Sequence, residues 1–267
     1  MRRTTIILLG IISSLLLLSV IFILYQSTLD LADFKMDNQK SNLSGKVDSI
    51  SISSYKILKI KEISKVSDNH TMGKLFVSPA KYAMQTGYFY FPNELLSMVT
   101  KRISGDTLII QLNYDEKKLD AIKERYKCGK LNAFFHLYTS PTSALSIRNE
   151  VNELDTELKG VSLSEAVVNS CSSIVVDSCN INNLNLSGWY PSINLKNSKI
   201  NIFSLDLENL NNWNVHNCQI NEEHLTGNGY HAIHLPKSEC KRMTWKGKTK
   251  EASLHVDLDS DKASISF

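Results

Sequence analysis

The sequence predicts a mainly β protein: a single-stranded parallel β-solenoid, or β-helix, of about 20 residues per turn, preceded by a transmembrane helix. Three observations carry that prediction. Similar segments recur every 19 or 20 residues in the carboxy-terminal half. Apolar residues return there at every fifth position. One uncharged run of 20 residues stands near the amino terminus.

The recurring segments are IVVDSCNIN from Ile174, INLKNSKIN from Ile193, WNVHNCQIN from Trp213 and IHLPKSECK from Ile233, with a partial copy, LHVDL, from Leu254. Positions 195, 200, 205, 210, 215, 220, 225, 230, 235, 240 and 245 are Leu, Ile, Leu, Leu, Val, Ile, Leu, Tyr, Leu, Cys and Trp. Five-residue spacing fits neither a 3.6-residue helix nor a plain strand. It fits a coil of four short sides in which each turn hydrogen-bonds to the next and buries an apolar column. The chain holds 23 asparagines, 15 of them between Asn169 and Asn228. Asn182, Asn201 and Asn221 share one offset, and Asn197 and Asn217 share another. Asparagine tolerates the left-handed backbone of a tight corner, and its amide can bond the copy stacked above it. Cys179, Ser198, Cys218 and Ser238 supply the small side chains an inward corner requires. Glu208 and Glu223 interrupt the pattern at expected inward positions.

Residues 6–25 (IILLGIISSLLLLSVIFILY) carry no charge. As a helix they span ~30 Å, the thickness of a bilayer's hydrocarbon core. Arg2 and Arg3 on the amino-terminal flank place that end in the cytoplasm. The expectation is therefore a single-pass signal anchor with the bulk of the chain extracytoplasmic, in the periplasm or at the cell surface. A cleaved signal peptide is the rival reading, but its apolar region is normally only ~7–15 residues long. The chain divides into the anchor (1–26), a polar linker (27–48), a β-rich capping region with one helix (49–150) and the solenoid (151–267).

Within 49–150, YKILKIK, GKLFVSP, GYFYF, DTLIIQLN and AFFHLY have strand composition, with a turn at Gly105-Asp106. Residues 115–127 place Leu119, Ile122 and Tyr126 on one helical face. This order of parts resembles the auto-transporter adhesin head GIN domain family of Bacteroidetes envelope proteins. The similarity rests on YKILKIK, on ISGDTLIIQLN (103–113) and on turns such as INLKNS (193–198), and covers about residues 50–260. Asn-Ser and Asn-Cys stand where that family has Gly-rich turns. The resemblance implies a right-handed β-helix in the cell envelope and carries no catalytic residues. The five-residue spacing is also similar to pentapeptide-repeat proteins, but Phe203, Trp213, Ile233 and Met243 occupy places where those prefer small residues.

Charge and motifs narrow the function. Thirty Lys and Arg against 27 Asp and Glu give a net +3, without the strong basic excess of a nucleic-acid protein. Five cysteines form no CxxC or zinc pattern. Cys179 and Cys218, two turns apart, lie too far apart for a bridge. No nucleophile, metal or phosphate-loop motif is present. His234, His255 and Asp257 are the nearest approach to a metal site and lack a full ligand set. Asp206 and Glu208 are the nearest approach to a glycosidase pair. The basic stretch from Lys237 to Glu251 reads as edge protection rather than as an anion site. The sequence thus points to a non-enzymatic, adhesin-like binding or structural module, with no cofactor and no metal. The alternatives are a polysaccharide-active enzyme on the same scaffold and an envelope signalling partner. Its expected partners are an envelope or host glycan or an envelope protein, together with the membrane through the amino-terminal helix. Outward candidates for ligand binding are Tyr190, Asn194, Lys196, Asn214, His216 and His234.

Overall fold

Alternation of apolar and polar residues sets most of the strands. In 131–139, for instance, Leu131, Ala133, Phe135 and Leu137 turn inward and their neighbours outward. The structure is a computed structural model. It describes residues 43, 46–52, 54–63, 71–80, 86–128, 131–140, 145–169, 172–189, 192–208, 210, 213–235 and 240–258. In chain order the strands are β1 (Val47–Ser51), β2 (Ile57–Glu62), β3 (Thr71–Pro79), β4 (Tyr88–Pro92), β5 (Val99–Ser104) and β6 (Thr107–Leu112). The helix α1 (Glu116–Tyr126) follows. Next come β7 (Leu131–Thr139), β8 (Ser146–Glu150), β9 (Leu154–Lys159), β10 (Ser162–Val168), β11 (Ile174–Asp177), β12 (Asn180–Leu186) and β13 (Ile193–Lys196). The last are β14 (Lys199–Asp206), β15 (Trp213–His216), β16 (Gln219–Gly227), β17 (Tyr230–Leu235), β18 (Cys240–Gly247) and β19 (Ser253–Leu258).

An eight-stranded sheet runs β1-β4-β7-β3-β9-β11-β13-β15, and a nine-stranded sheet runs β18-β16-β14-β12-β10-β8-β2-β6-β5. Their inward residues join one apolar core, including Leu75, Phe89, Phe135, Leu195, Ile200 and Phe203. Helix α1 is capped by the Asp115 carboxylate, which accepts from the Lys118 amide. It ends at Lys127 in the left-handed region, φ 51°. Its Leu119 and Ile122 are buried, and the Tyr126 hydroxyl donates to Glu94 Oε1 at 2.7 Å.

These findings correct the predicted fold class. The fold is mainly β with mixed sheets and one α-helix among the described residues, rather than a single-stranded right-handed β-helix or solenoid. The pairs β1/β4, β4/β7 and β5/β6 are antiparallel. Strand β3 lies between β7 and β9, out of chain order. The 20-residue repeat begins only at Ile174, so the strands before it choose partners by their own alternation. Nor does each repeat make four short sides. It makes one four-residue strand and one of seven to nine residues, such as β13 followed by β14. Strand β14 takes in the five-residue spacing by breaking alternation between Ile200 and Phe203. The fourth copy departs in its first strand only: β17 pairs with β19 in a separate two-stranded parallel sheet, while β18 stays stacked on β16.

The transmembrane expectation is corrected as well. No helix among the described residues is long and apolar enough to cross a membrane. Residues 6–25 lie outside the described residues. The single-pass, extracytoplasmic placement drawn from hydropathy alone is withdrawn with the helix.

What the repeat does fix is register. Ile174, Ile193 and Trp213 are cross-strand partners, as are Ile181, Ile200, Ile220 and Cys240. Between each short strand and the next long one, a single residue turns the chain in the left-handed region. These residues are Gly160 (φ 63°), Ser178 (57°), Asn197 (48°) and Asn217 (54°), stacked one above another. Their amides are not wasted. Gly160 N–H donates to Asp177 O, Ser178 N–H to Lys196 O and Asn197 N–H to His216 O, at 2.9–3.0 Å. Side-chain amides add a second thread, from Asn217 to Asn197 (2.8 Å) and from Asn197 to Asp177 (3.2 Å). A parallel thread runs through Asn221, Asn201 and Asn182, at 2.9 and 3.0 Å. One step inward, Val161, Cys179, Ser198 and Cys218 are buried. The Ser198 hydroxyl donates to Lys196 O and accepts from the Cys179 amide. The cysteines at this corner are free thiols with Ser198 stacked between them.

A left-handed corner discriminates sharply among side chains. Asn197→Gly keeps the backbone and loses only exposed amide bonds, at a cost of ~1 kcal/mol or less. Asn197→Val forces a β-branched residue to positive φ, at a cost of ~2–3 kcal/mol. Urea unfolding midpoints measure the difference, and equal losses would show that backbone conformation does not govern this corner.

Candidate functional site

The outer face of the eight-stranded sheet has two ends of different chemistry. At the repeat end, β11, β13 and β15 present alternate residues outward in two in-register rows. One row is Val175, Asn194 and Asn214, and the other is Asp177, Lys196 and His216. Four of the six sequence-derived candidates therefore meet on one face: Asn194, Lys196, Asn214 and His216. Tyr190 lies outside the described residues. His234 stands on β17 in the separate small sheet, opposite Asp257, while His255 faces Ala232. In this row the Asp177 carboxyl sits below the ordinary carboxylate range because Asn197 and Ser178 donate to it.

The other end was not assigned from sequence. Outward residues of β3, β4 and β7 form a cluster of six rings: Phe76, Tyr88, Tyr90, Phe134, His136 and Tyr138. Phe76 stacks on His136 with centroids 5.0 Å apart and planes at 11°. Phe134 meets Phe76 edge-on at 5.7 Å, and Tyr90 meets Tyr138 at 5.6 Å. All six remain partly open to solvent. Lys74 lies 5.1 Å from the Phe76 ring centroid and pairs with Glu157 at 2.7 Å, so the cation over the cluster is already neutralised. Burial lowers the His136 pKa, keeping the imidazole neutral. The alternation of Tyr88 with Tyr90, and of Phe134, His136 and Tyr138, was visible in the sequence. Composition marked these segments only as strands. Their convergence depends on β4 pairing antiparallel with β7, which no local pattern specifies.

The nine-stranded sheet uses its outward charges internally. Arg148 pairs with Glu165 (3.0 Å), Lys59 with Glu150 (2.6 Å) and Arg242 with Glu222 (2.6 Å). Asp206 and Glu208, the nearest approach to a catalytic pair in the sequence, both contact Lys248. Hydrogen bonds from Lys248 and Asn228 hold Glu208 below its ordinary value, the reverse of what a general acid requires. Strand β18, which carries Lys241, Arg242 and Lys246, is the outer edge of this sheet. Of the two interruptions in the repeat, Glu208 is exposed because Leu207 takes the inward place, whereas Glu223 is buried beneath Phe203.

No protein-family model matches the chain, and no curated protein matches it. Among solved structures, similarity extends to a protein described as a "putative adhesin" from Bacteroides fragilis, with a TM-score of 0.42 and 12% identity. It covers 80% of this chain and 95% of that one. A "putative cell adhesion protein" from Clostridium sporogenes aligns with a TM-score of 0.29 and 9% identity, over 80% and 98% of the two chains. A "putative adhesin" from Parabacteroides merdae aligns with a TM-score of 0.28 and 11% identity, over 81% and 95%. At these values the likeness assigns no residue a role.

Buried Glu223 has a chemical consequence. Burial and the adjacent Glu223 carboxyl push the Cys240 thiol up to about 12. At pH 8 its thiolate fraction is then about a thousandfold below that of an ordinary thiol. Higher intrinsic nucleophilicity offsets part of this, leaving iodoacetamide alkylation about a hundredfold slow. Glu223→Gln removes the second cause and is expected to speed labelling at Cys240. Peptide mapping reads the rate, and an ordinary rate in the parent chain would contradict this environment.

Proposed function

We propose that this chain is a non-catalytic, adhesin-like binding module that engages an extended cell-surface or envelope partner along the outer face of its eight-stranded sheet. The observation that carries the reading is the continuity of that face. Rows of amide, lysine and imidazole at Asn194, Asn214, Lys196 and His216 lie in register on the same sheet as the six-ring cluster. Rows on adjacent strands repeat at about 4.8 Å, a spacing that suits many weak contacts to a long ligand. Such contacts reward a stiff frame, because preorganised side chains lose little freedom on binding. The polysaccharide-active alternative has less support, since its best carboxylate pair is engaged by Lys248.

Retention and chemistry can be read from the same tubes. The full chain is immobilised on beads and mixed with surface polysaccharides and surface proteins. Retained material and new reducing ends are then measured together. The expected result is retention without release, lowered about fivefold or more by the double substitution Lys196→Glu with His216→Glu, which reverses the charge of one row. Release of reducing ends would overturn the non-catalytic reading. Retention unchanged by the substitutions would move binding off this end of the face.

A further inference from the structure

We infer that the six-ring cluster on β3, β4 and β7 is a binding site for an uncharged pyranose glycan, a ligand class that rests on the adhesive reading of this face. Three observations select it.

First, every ring is presented outward from a strand, partly exposed and braced by its neighbours, so the cluster is rigid rather than a loose apolar patch. Aromatic faces carry negative charge density, and the C–H bonds on one side of a pyranose are polarised positive by the attached oxygens.

Second, the outward positions of these three strands supply six rings, interleaved with Lys74, Ser78 and Asn132. A surface this rich in rings selects partners that meet π faces. Tyrosine hydroxyls stand among the rings, able to exchange hydrogen bonds with sugar hydroxyls, and β1 sets exposed Ser49 opposite Tyr90.

Third, the charge is balanced. Lys74 is spent on Glu157 and on the Phe76 ring, and burial disfavours charge on the His136 imidazole. Nothing in the cluster complements a carboxylated or sulfated chain.

Saturation-transfer NMR on the full chain tests the assignment, with cellohexaose, mannohexaose, xylohexaose and chitohexaose as neutral probes and polygalacturonate as an acidic one. At least one neutral probe is expected to receive saturation at its ring C–H protons. Tyr90→Ala is expected to weaken that binding tenfold or more. Phe76→Leu retains apolar bulk but removes the π face, and is expected to weaken it similarly. Lys241→Ala, on the edge of the other sheet, leaves binding within about twofold. Urea midpoints for each variant separate loss of binding from loss of fold.

Several outcomes would overturn the inference. These are no neutral binding up to about 5 mM, the weak end of the affinity scale, full binding by Phe76→Leu, or a preference for polygalacturonate. Bead retention of surface protein that disappears in Tyr90→Ala, without sugar binding, would overturn the glycan assignment and leave the adhesive reading standing. Loss of both sugar binding and retention would remove the two together.

Discussion

The repeat end of the outer face depends on one backbone constraint, the left-handed corner repeated at Gly160, Ser178, Asn197 and Asn217. L-residues adopt that conformation at a cost of ~1–2 kcal/mol each. Here the cost is met at glycine, serine and asparagine, whose side chains either vanish or bond locally. In return the Gly160, Ser178 and Asn197 amides donate to the strand stacked on each, so one strained residue per repeat closes the turn and sets the register of the next strand. A slip of one residue would turn Leu195 outward and Lys196 into the core. Register and burial therefore reinforce each other.

A surface built this way is stiff in two directions. Along each strand the alternation fixes which residues face out, and across the strands the corner column fixes which of them are neighbours. The polar rows at one end are held by the corners, and the rings at the other by the pairing of β3 and β4 with β7 in the same sheet. Some charges on the second sheet pair with one another, as in Arg148–Glu165 and Arg242–Glu222. Such surface pairs contribute little stability individually, ~0–1 kcal/mol.

Much of the register was legible in the sequence, because stacked positions need similar residues: Ile181, Ile200 and Ile220 do share a row. So were the corner asparagines, which few other residues replace at positive φ. The architecture was not. Five-residue spacing is equally satisfied by four short sides or by a long strand that skips one alternation, and β14 takes the second course. Before Ile174 there is no repeat to read, and antiparallel partners such as β4 and β7, whose paired residues lie nearly fifty positions apart, are chosen by tertiary fit. The ring cluster was hidden for the same reason. Tyr90 and Tyr138 are ordinary strand residues until that pairing brings them within 5.6 Å. Asn194, Lys196, Asn214 and His216 could be grouped from offset alone, whereas His234 could not, since the first strand of the fourth copy leaves the sheet.

Hydrogen exchange at the corner amides tests the frame most directly. The side chains of Ser178 and Asn197 are exposed, so an open corner would exchange within a small factor of an unstructured peptide. If the column is the constraint described here, the Gly160, Ser178 and Asn197 amides exchange with the core strands, slowed by about a thousandfold or more. Rapid exchange at Ser178 and Asn197 beside slow exchange in β12 and β14 would contradict the account, since the strands would then hold their register without the corners.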